Sequence, residues 1–376
     1  MKNITDYIKQ NNLTFAQMPF NPVDSLIFSQ FSYIDFKDMV PGFESWREGV
    51  SIKDVIRAEY FDEMLREVTM MKATLEMMYA IAVSPRFRDI KLSFYADERD
   101  DEAEKQFSAV VFSLNDCCHY AAFRGTDATF LGWKEDFNMA FISPVPSQSA
   151  GAEYLKRAAA SLEGEIITGG HSKGGNIAIY AAAECGPDIA ERISRIYTHD
   201  GPGFTSEFLA SEGYQRIKGK IHKTIPESAL IGMMLENEGG YSVVKSSRMG
   251  ALQHDPFSWE VGGEDFIIAD RISPGAEYMN NTISDWVKAL SFEQRQLLVD
   301  FLYSVVSAGA STNFAEFLKD SRKEVAAMFD VIKHIDKPTR SVLKNAFREF
   351  LAAAVKNTGK GKKVKVGKPK ILTDIS

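Results

Sequence analysis

The spacing of apolar positions changes twice along the chain. Up to about residue 85 the pattern is helical and irregular. "SLIFSQFSYIDF" (Ser25 to Phe36) is apolar at helical spacing, and "FDEMLREVTMMKATLEMMYAIAVS" (Phe61 to Ser84) reads as one long amphipathic helix. Its methionine stripe suits core packing more than an adaptable binding surface. The texture then shifts to strands. "IKLSFYADER", "FSAVVFSL" and "HYAAFRG" alternate or run apolar, the last ending at Gly125. A helical stretch from about Gly151 to Leu162 leads to the short strand "EIITGG". A helix follows to about Cys185, then the strand Arg192 to Asp200, a short helix near Glu207, and the strands "KGKIHKTI" and "YSVVKSS". Alternating strands and helices predict an α/β fold with a mostly parallel sheet covered on both faces. From about Pro274 the pattern is helical again. The expected organisation is an N-terminal helical segment over 1–84, an α/β core over 85–273, a C-terminal helical region over 274–356 and a basic tail over 357–376.

Composition narrows the function classes. The 376 residues are 45% hydrophobic, enough for a large core, and no repeat unit recurs. A net charge of −7 gives no general reason to expect nucleic-acid binding. No apolar run approaches the ~18 residues of a membrane helix. The first residues hold no apolar stretch of signal-peptide length, so the expected location is cytoplasmic. Three cysteines, Cys117, Cys118 and Cys185, make no disulfide framework and no zinc-spaced cluster, so no metal or cofactor is expected. "GKGKKVKVGKPK" (Gly359 to Lys370) carries six lysines and no acid. It reads as a disordered, solubilising end, with weak contact to an acidic surface as the alternative.

The chemistry concentrates in "TGGHSKGGNIAIYAAA" (Thr168 to Ala183). A strand, a glycine-rich turn and a helix follow one another, and the turn holds Gly170-His171-Ser172-Lys173-Gly174, a G-x-S-x-G pattern. Such a serine sits on a strained bend with its hydroxyl above the sheet. Residues two before and two after must be small because strand and helix approach closely there. The helix N-terminus favours developing negative charge, and the Lys173 N–H is a candidate oxyanion donor. A second donor is expected from the strand that stops at Gly125, through the N–H of Thr126. Arg124 and Asp136 are a candidate pair bracing that loop.

A serine nucleophile needs a base, and the base an orienting acid, in the chain order serine, acid, histidine. That order removes His119. His171 lies in the bend itself, His199 and His222 lie in strands, and His334 lies in the helical C-terminal region. His254, in "MGALQHDPFSWEV", follows the last strand and is the expected base. Two carboxylates end strands at the edge where α/β folds build their sites: Asp200 in "YTHDGPGF", which is preferred, and Glu227 in "TIPESALIG".

Together, "AAFRGTD", "GWKEDF" and "ITGGHSKGGNIAIYAA" resemble the class 3 lipases, the fungal triacylglycerol lipase type of α/β-hydrolase, over roughly residues 85 to 260. The resemblance implies a serine nucleophile at Ser172 and an oxyanion donor at Thr126. "PFNPVDSLIFSQFSY", "HDGPGF" and "QHDPFSW" resemble a bacterial family of uncharacterised lipase-like hydrolases over nearly the whole chain, which implies an intracellular serine hydrolase. Two departures stand out. Class 3 lipases take their acid from an Asp-Pro-Val-Pro-like stretch, where this chain reads "IPESALIG". The residue after the serine is charged: Lys173 is expected to lie along the helix and pair with a surface carboxylate, or else to attract an acidic acyl group. The expected function is hydrolysis of a small-molecule or lipid carboxylic ester through an acyl-enzyme on Ser172. The alternatives are acyl transfer by the same residues, and a catalytically silent scaffold.

Overall fold

The computed structural model describes residues 2–100, 102–126, 135, 138–139, 143–306 and 336–358. Asp136, His334 and the lysine-rich end, all singled out in the sequence, lie outside the described residues. The described residues form one eight-stranded sheet whose strands lie in chain order: β1 (Val50–Ser51), β2 (Lys91–Asp100), β3 (Lys105–Asn115), β4 (Cys118–Phe123), β5 (Glu165–His171), β6 (Ile193–His199), β7 (Ile221–Pro226) and β8 (Tyr241–Val244). The first four are mutually antiparallel. From β4 to β8 every pairing is parallel; the connections up to β7 run through helices, and the one from β7 to β8 through turns. This is an α/β-hydrolase fold with an antiparallel extension at one edge.

Both faces are covered. On one, helix α1 (Ile4–Gln10), helix α2 (Pro22–Phe31) and helix α3 (Met71–Val83) share a core with Val110, Phe112, Tyr120 and Ile167. Helix α2 starts at a capping box in which Asn21 accepts from the N–H groups of Val23 and Asp24. Its Val23, Leu26, Ile27, Phe28 and Phe31 are fully buried, each contributing about 1.5–3 kcal/mol. Ser25 Oγ reaches Tyr120 at 2.8 Å and His199 at 3.0 Å, so the N-terminal segment is joined to the central strands by polar contacts as well. On the other face, helix α4 (Pro146–Ser161) and helix α5 (Lys173–Glu184) pack over Phe107, Phe123 and Ile196. After β8 the described residues include the helices α6 (Pro274–Ala289), α7 (Phe292–Val306) and α8 (Lys337–Thr358).

The long helix expected over 61–84 is broken. A helical turn ends at Met64, and α3 begins only at Met71. The Met64 carbonyl accepts the Asp35 N–H at 3.1 Å, and the Val68 N–H goes to Leu65 instead. A tertiary hydrogen bond thus takes the acceptor that the helix needed to continue.

Candidate active site

The site grows from the junction of β5 and α5. Ser172 stands between them with φ 57° and ψ −131°, a backbone conformation that costs a non-glycine residue roughly 1–3 kcal/mol. The strain is held by the frame. The Ser172 N–H donates to the His199 carbonyl at 2.9 Å, and the Ser172 carbonyl accepts from Gly175 at 3.0 Å. A Cβ on Gly170 would overlap the Gly174 carbonyl, and one on Gly174 would overlap the Phe123 carbonyl at the end of β4. The side-chain-free crossing lets strand and helix close on each other and leaves Ser172 at the surface of the turn, 9% exposed.

His254 ends a short 3-10 turn over Gly250–His254, after β8. Its Nε2 lies 3.0 Å from Ser172 Oγ, and its Nδ1 lies 2.6 Å from Asp200 Oδ2. Asp200 follows β6 with φ 50°. It is 1% exposed, and its other oxygen accepts the Gly232 N–H at 3.0 Å. The structure therefore brings Ser172, His254 and Asp200 together in one hydrogen-bonded chain. Glu227 does not stand on His254: it is half-buried, and its carbonyl takes the Ser273 N–H.

The loop that carries His254 is fastened at successive residues. Gln253 Oε1 accepts the Ser228 N–H at 2.6 Å, while its carbonyl takes the indole N–H of the fully buried Trp259 at 2.8 Å. The carbonyl of His254 itself accepts from His171 Nε2 at 3.0 Å. Both ring nitrogens of His171 are engaged away from the serine hydroxyl. Its Nδ1 faces the Tyr33 hydroxyl at 3.2 Å, so donation from Nε2 leaves Nδ1 to accept. Burial holds this ring well below the ordinary histidine pKa, with the neighbouring His254 acting in the same direction. The neutral tautomer fits both contacts. His199, bonded to Thr224 and Ser25, is pushed by burial to about 3 and is likewise neutral. Sequence reasoning gave Gln253, Trp259 and Tyr33 no role; only the spatial position of the loop reveals them.

The two candidate oxyanion donors flank the turn. Lys173 is the first residue of α5. Gly125 lies so near the elbow that a Cβ there would overlap the His171 carbonyl, and half-buried Thr126 follows it directly. The expectation for the Lys173 side chain needs correction. Lys173 does not pair at the surface or face an acyl group. Its Nζ is buried, 2.9 Å from Glu135 Oε2 and 3.1 Å from the Gln106 carbonyl, because the side chain runs inward between α5 and β3. Glu135 also accepts the N–H groups of Ser147 and Gln106, at 2.9 and 3.3 Å. Arg124 pairs with Asp97 of β2 at 2.8 Å; Asp136, its expected partner, lies outside the described residues.

A second buried lysine lies behind the acid. Lys223 of β7 donates to the Gly201 carbonyl at 2.8 Å and to Asn237 Oδ1. Burial lowers its pKa to about 7, against the opposing pull of Asp200.

Comparison with known proteins gives the following similarities. A family model described as Mbeg1-like matches residues 81–304. No curated protein matches the chain. Among solved structures, the chain is similar to M37 lipase at 13% identity, covering 56% of this chain and 68% of that one with a TM-score of 0.35. It is similar to a fungal lipase solved in complex with an inhibitor at 15% identity, covering 52% and 77% with a TM-score of 0.34. For Rhizomucor miehei lipase in its propeptide complex the identity is 15%, the coverage 49% and 64%, and the TM-score 0.32.

Proposed function

The chain belongs to the Mbeg1-like family, and from that premise we propose that it is a serine hydrolase cleaving a carboxylic ester through an acyl-enzyme. One observation carries the reading: the unbroken run from Ser172 Oγ through His254 to Asp200, at 3.0 and 2.6 Å, on a serine held at positive φ. With Nδ1–H donated to Asp200, His254 Nε2 is free to accept the serine proton. Ser172 Oγ then attacks the ester carbonyl carbon. The tetrahedral oxyanion is held by the N–H groups of Lys173 and Thr126. The imidazolium returns its proton to the departing alkoxide, and the acyl group stays on Ser172. Water, deprotonated by His254, repeats the sequence and releases the carboxylate. Asp200, buried and held by Gly232, keeps the imidazole in the required tautomer. Candidate substrates are small-molecule or lipid esters. Among the described residues no helix is long and apolar enough to cross a membrane.

Labelling with a fluorophosphonate probe, beside hydrolysis of a short panel of aryl esters, tests this. Folded wild type should label and turn over ester. Ser172→Ala should not label, and its turnover should fall by about a millionfold. Asp200→Asn should lose roughly ten-thousandfold, whereas Glu227→Gln should match wild type. A folded wild type that neither labels nor hydrolyses any ester would overturn the proposal in favour of a scaffold. Acyl transfer to an added alcohol in place of release to water would redirect it to a transferase.

A further inference from the structure

The segment from Asp200 to Gly203 carries the acid across the end of the sheet, and the chain fastens it from several sides. Asp200 donates its N–H to the Thr224 carbonyl of β7 at 2.8 Å, and its side chain takes the Gly232 N–H. Gly203 and Phe204 bond through their backbones to Met234 and Glu236. The Pro202 and Gly203 carbonyls accept from Asn176 of α5, at 3.2 and 2.9 Å. The Gly201 carbonyl is taken by Lys223, whose Nζ also donates to Asn237 Oδ1. Gly201 has no room to shift, since a Cβ there would overlap Thr198 Oγ1 and the Ser172 carbonyl. The residue that Lys223 holds therefore abuts the elbow itself.

Holding a carbonyl needs no charge: the uncharged Asn176 does so for the next two residues. What the lysine adds is its ammonium, and Asp200 is the charged group whose field reaches it. Lys218, Glu236 and Glu238 stand around the same small cavity but are exposed, where water and salt screen them. Glu236 faces Lys288, while Lys218 and Glu238 both bond to Gln215. The neighbours of Lys223 across the sheet, Thr198 of β6 and Tyr241 of β8, bring no charge. We infer that Lys223 is a positioning residue for the acid: it fixes the backbone of Asp200 through Gly201, and its charge offsets part of the pull that the Asp200 carboxylate exerts on His254. The inference rests on the reading of Asp200 as the orienting acid. Burial brings the lysine down to about 7, so its charge comes and goes in the range where histidines titrate. The neutral amine keeps two N–H groups and can still donate to both oxygens. Only the opposing charge is lost, and the carboxylate then acts on the imidazole undiminished.

An NMR titration of the full chain, carbon-13 labelled at histidine Cε1, tests it, with His254 assigned as the signal lost in His254→Gln. Lys223→Gln removes the charge and keeps a donor, whereas Lys223→Met removes both. In both variants the His254 midpoint should lie above that of wild type, its proton affinity raised about threefold, because the opposing charge is gone. Equal midpoints in all three proteins would overturn the electrostatic role. So would a shift in Lys223→Met that Lys223→Gln does not share, which would trace to the lost hold on Gly201. The mechanical role is read near pH 9, where wild-type Lys223 is itself uncharged. There Lys223→Met should turn over an aryl ester with kcat about tenfold below that of Lys223→Gln and KM little changed, the worth of one hydrogen bond. Equal kcat values would overturn that role. A wild type that hydrolyses no ester would overturn the proposed function, and the His254 midpoints alone would then decide this inference.

Discussion

Two lysines are buried on opposite sides of the candidate site, and they are treated differently. Lys173, next to the nucleophile, runs inward to a carboxylate and a carbonyl. Lys223, behind the acid, has only a carbonyl and a side-chain amide oxygen. The contrast shows what burial demands of a cation. Neutral oxygens satisfy its N–H groups but do not offset the desolvation of its charge, and Lys223 titrates near 7 as a result. A carboxylate at contact distance, as at Lys173, provides the missing charge. The charged arrangement also joins the elbow to β3 and to the start of α4 through Glu135, so a fixed network lies directly under the serine.

The largest expected break is at the paired lysine. Glu135→Leu leaves a buried cation uncompensated and should cost about 3–5 kcal/mol in urea unfolding at pH 7. The double variant Lys173→Met with Glu135→Leu should recover most of that loss, because an apolar pair of similar volume carries no desolvation penalty. A double variant no more stable than the single would show that the glutamate matters for its backbone contacts alone.

Next is Lys223→Met, which orphans the Gly201 carbonyl and should cost about 1–3 kcal/mol at pH 7. Its pH dependence is the sharper reading. In the unfolded chain the lysine keeps its proton to about 10.5, whereas the folded protein gives it up near 7. Above pH 7 the unfolded state therefore binds more protons, and this residue makes stability rise with pH by up to about 1.4 kcal/mol per unit. Wild type should gain relative to Lys223→Met between pH 7 and 9, as read by unfolding midpoints of both at each pH. Parallel curves would contradict the assignment.

The smallest effect is the most instructive. Asn237→Asp would supply the countercharge that Lys223 lacks and make it resemble Lys173. Stability at pH 7 should change little, while the extra rise between pH 7 and 9 should disappear. A rise that persists would mean that the new carboxylate turns away from the lysine.

How much of this was legible beforehand depended on how local the cause was. The turn at Gly170–Gly174 announces itself because close approach of strand and helix excludes side chains at fixed spacings. Chain order and strand ends then narrowed the base to His254 and the acid to Asp200 or Glu227, and the structure puts Asp200 and His254 in one hydrogen-bonded chain with Ser172. The break before Met71 was not legible, since its cause is the N–H of Asp35, a residue far back in the chain. Nor was the partner of Lys173. Glu135 and Lys173 are 38 residues apart, and in "GWKEDF" the neighbouring Asp136 drew attention because nothing in the local pattern says which acid turns inward. The antiparallel edge was equally hidden, because strand direction is set by how each connection returns and not by the alternation within a strand.

The contact of Ser25 with His199 joins residues 174 apart in the chain, and that distance has a consequence for biosynthesis. At about 5–20 residues per second, the ribosome needs roughly 9–35 seconds to deliver the strand that carries His199. Leu26, Ile27, Phe28 and Phe31 gain their cover earlier and in steps, as Phe112 of β3, Tyr120 of β4 and Ile167 of β5 emerge. The polar contact of Ser25 with His199 comes after them, so it locks a helix whose apolar face already has sheet to lie on.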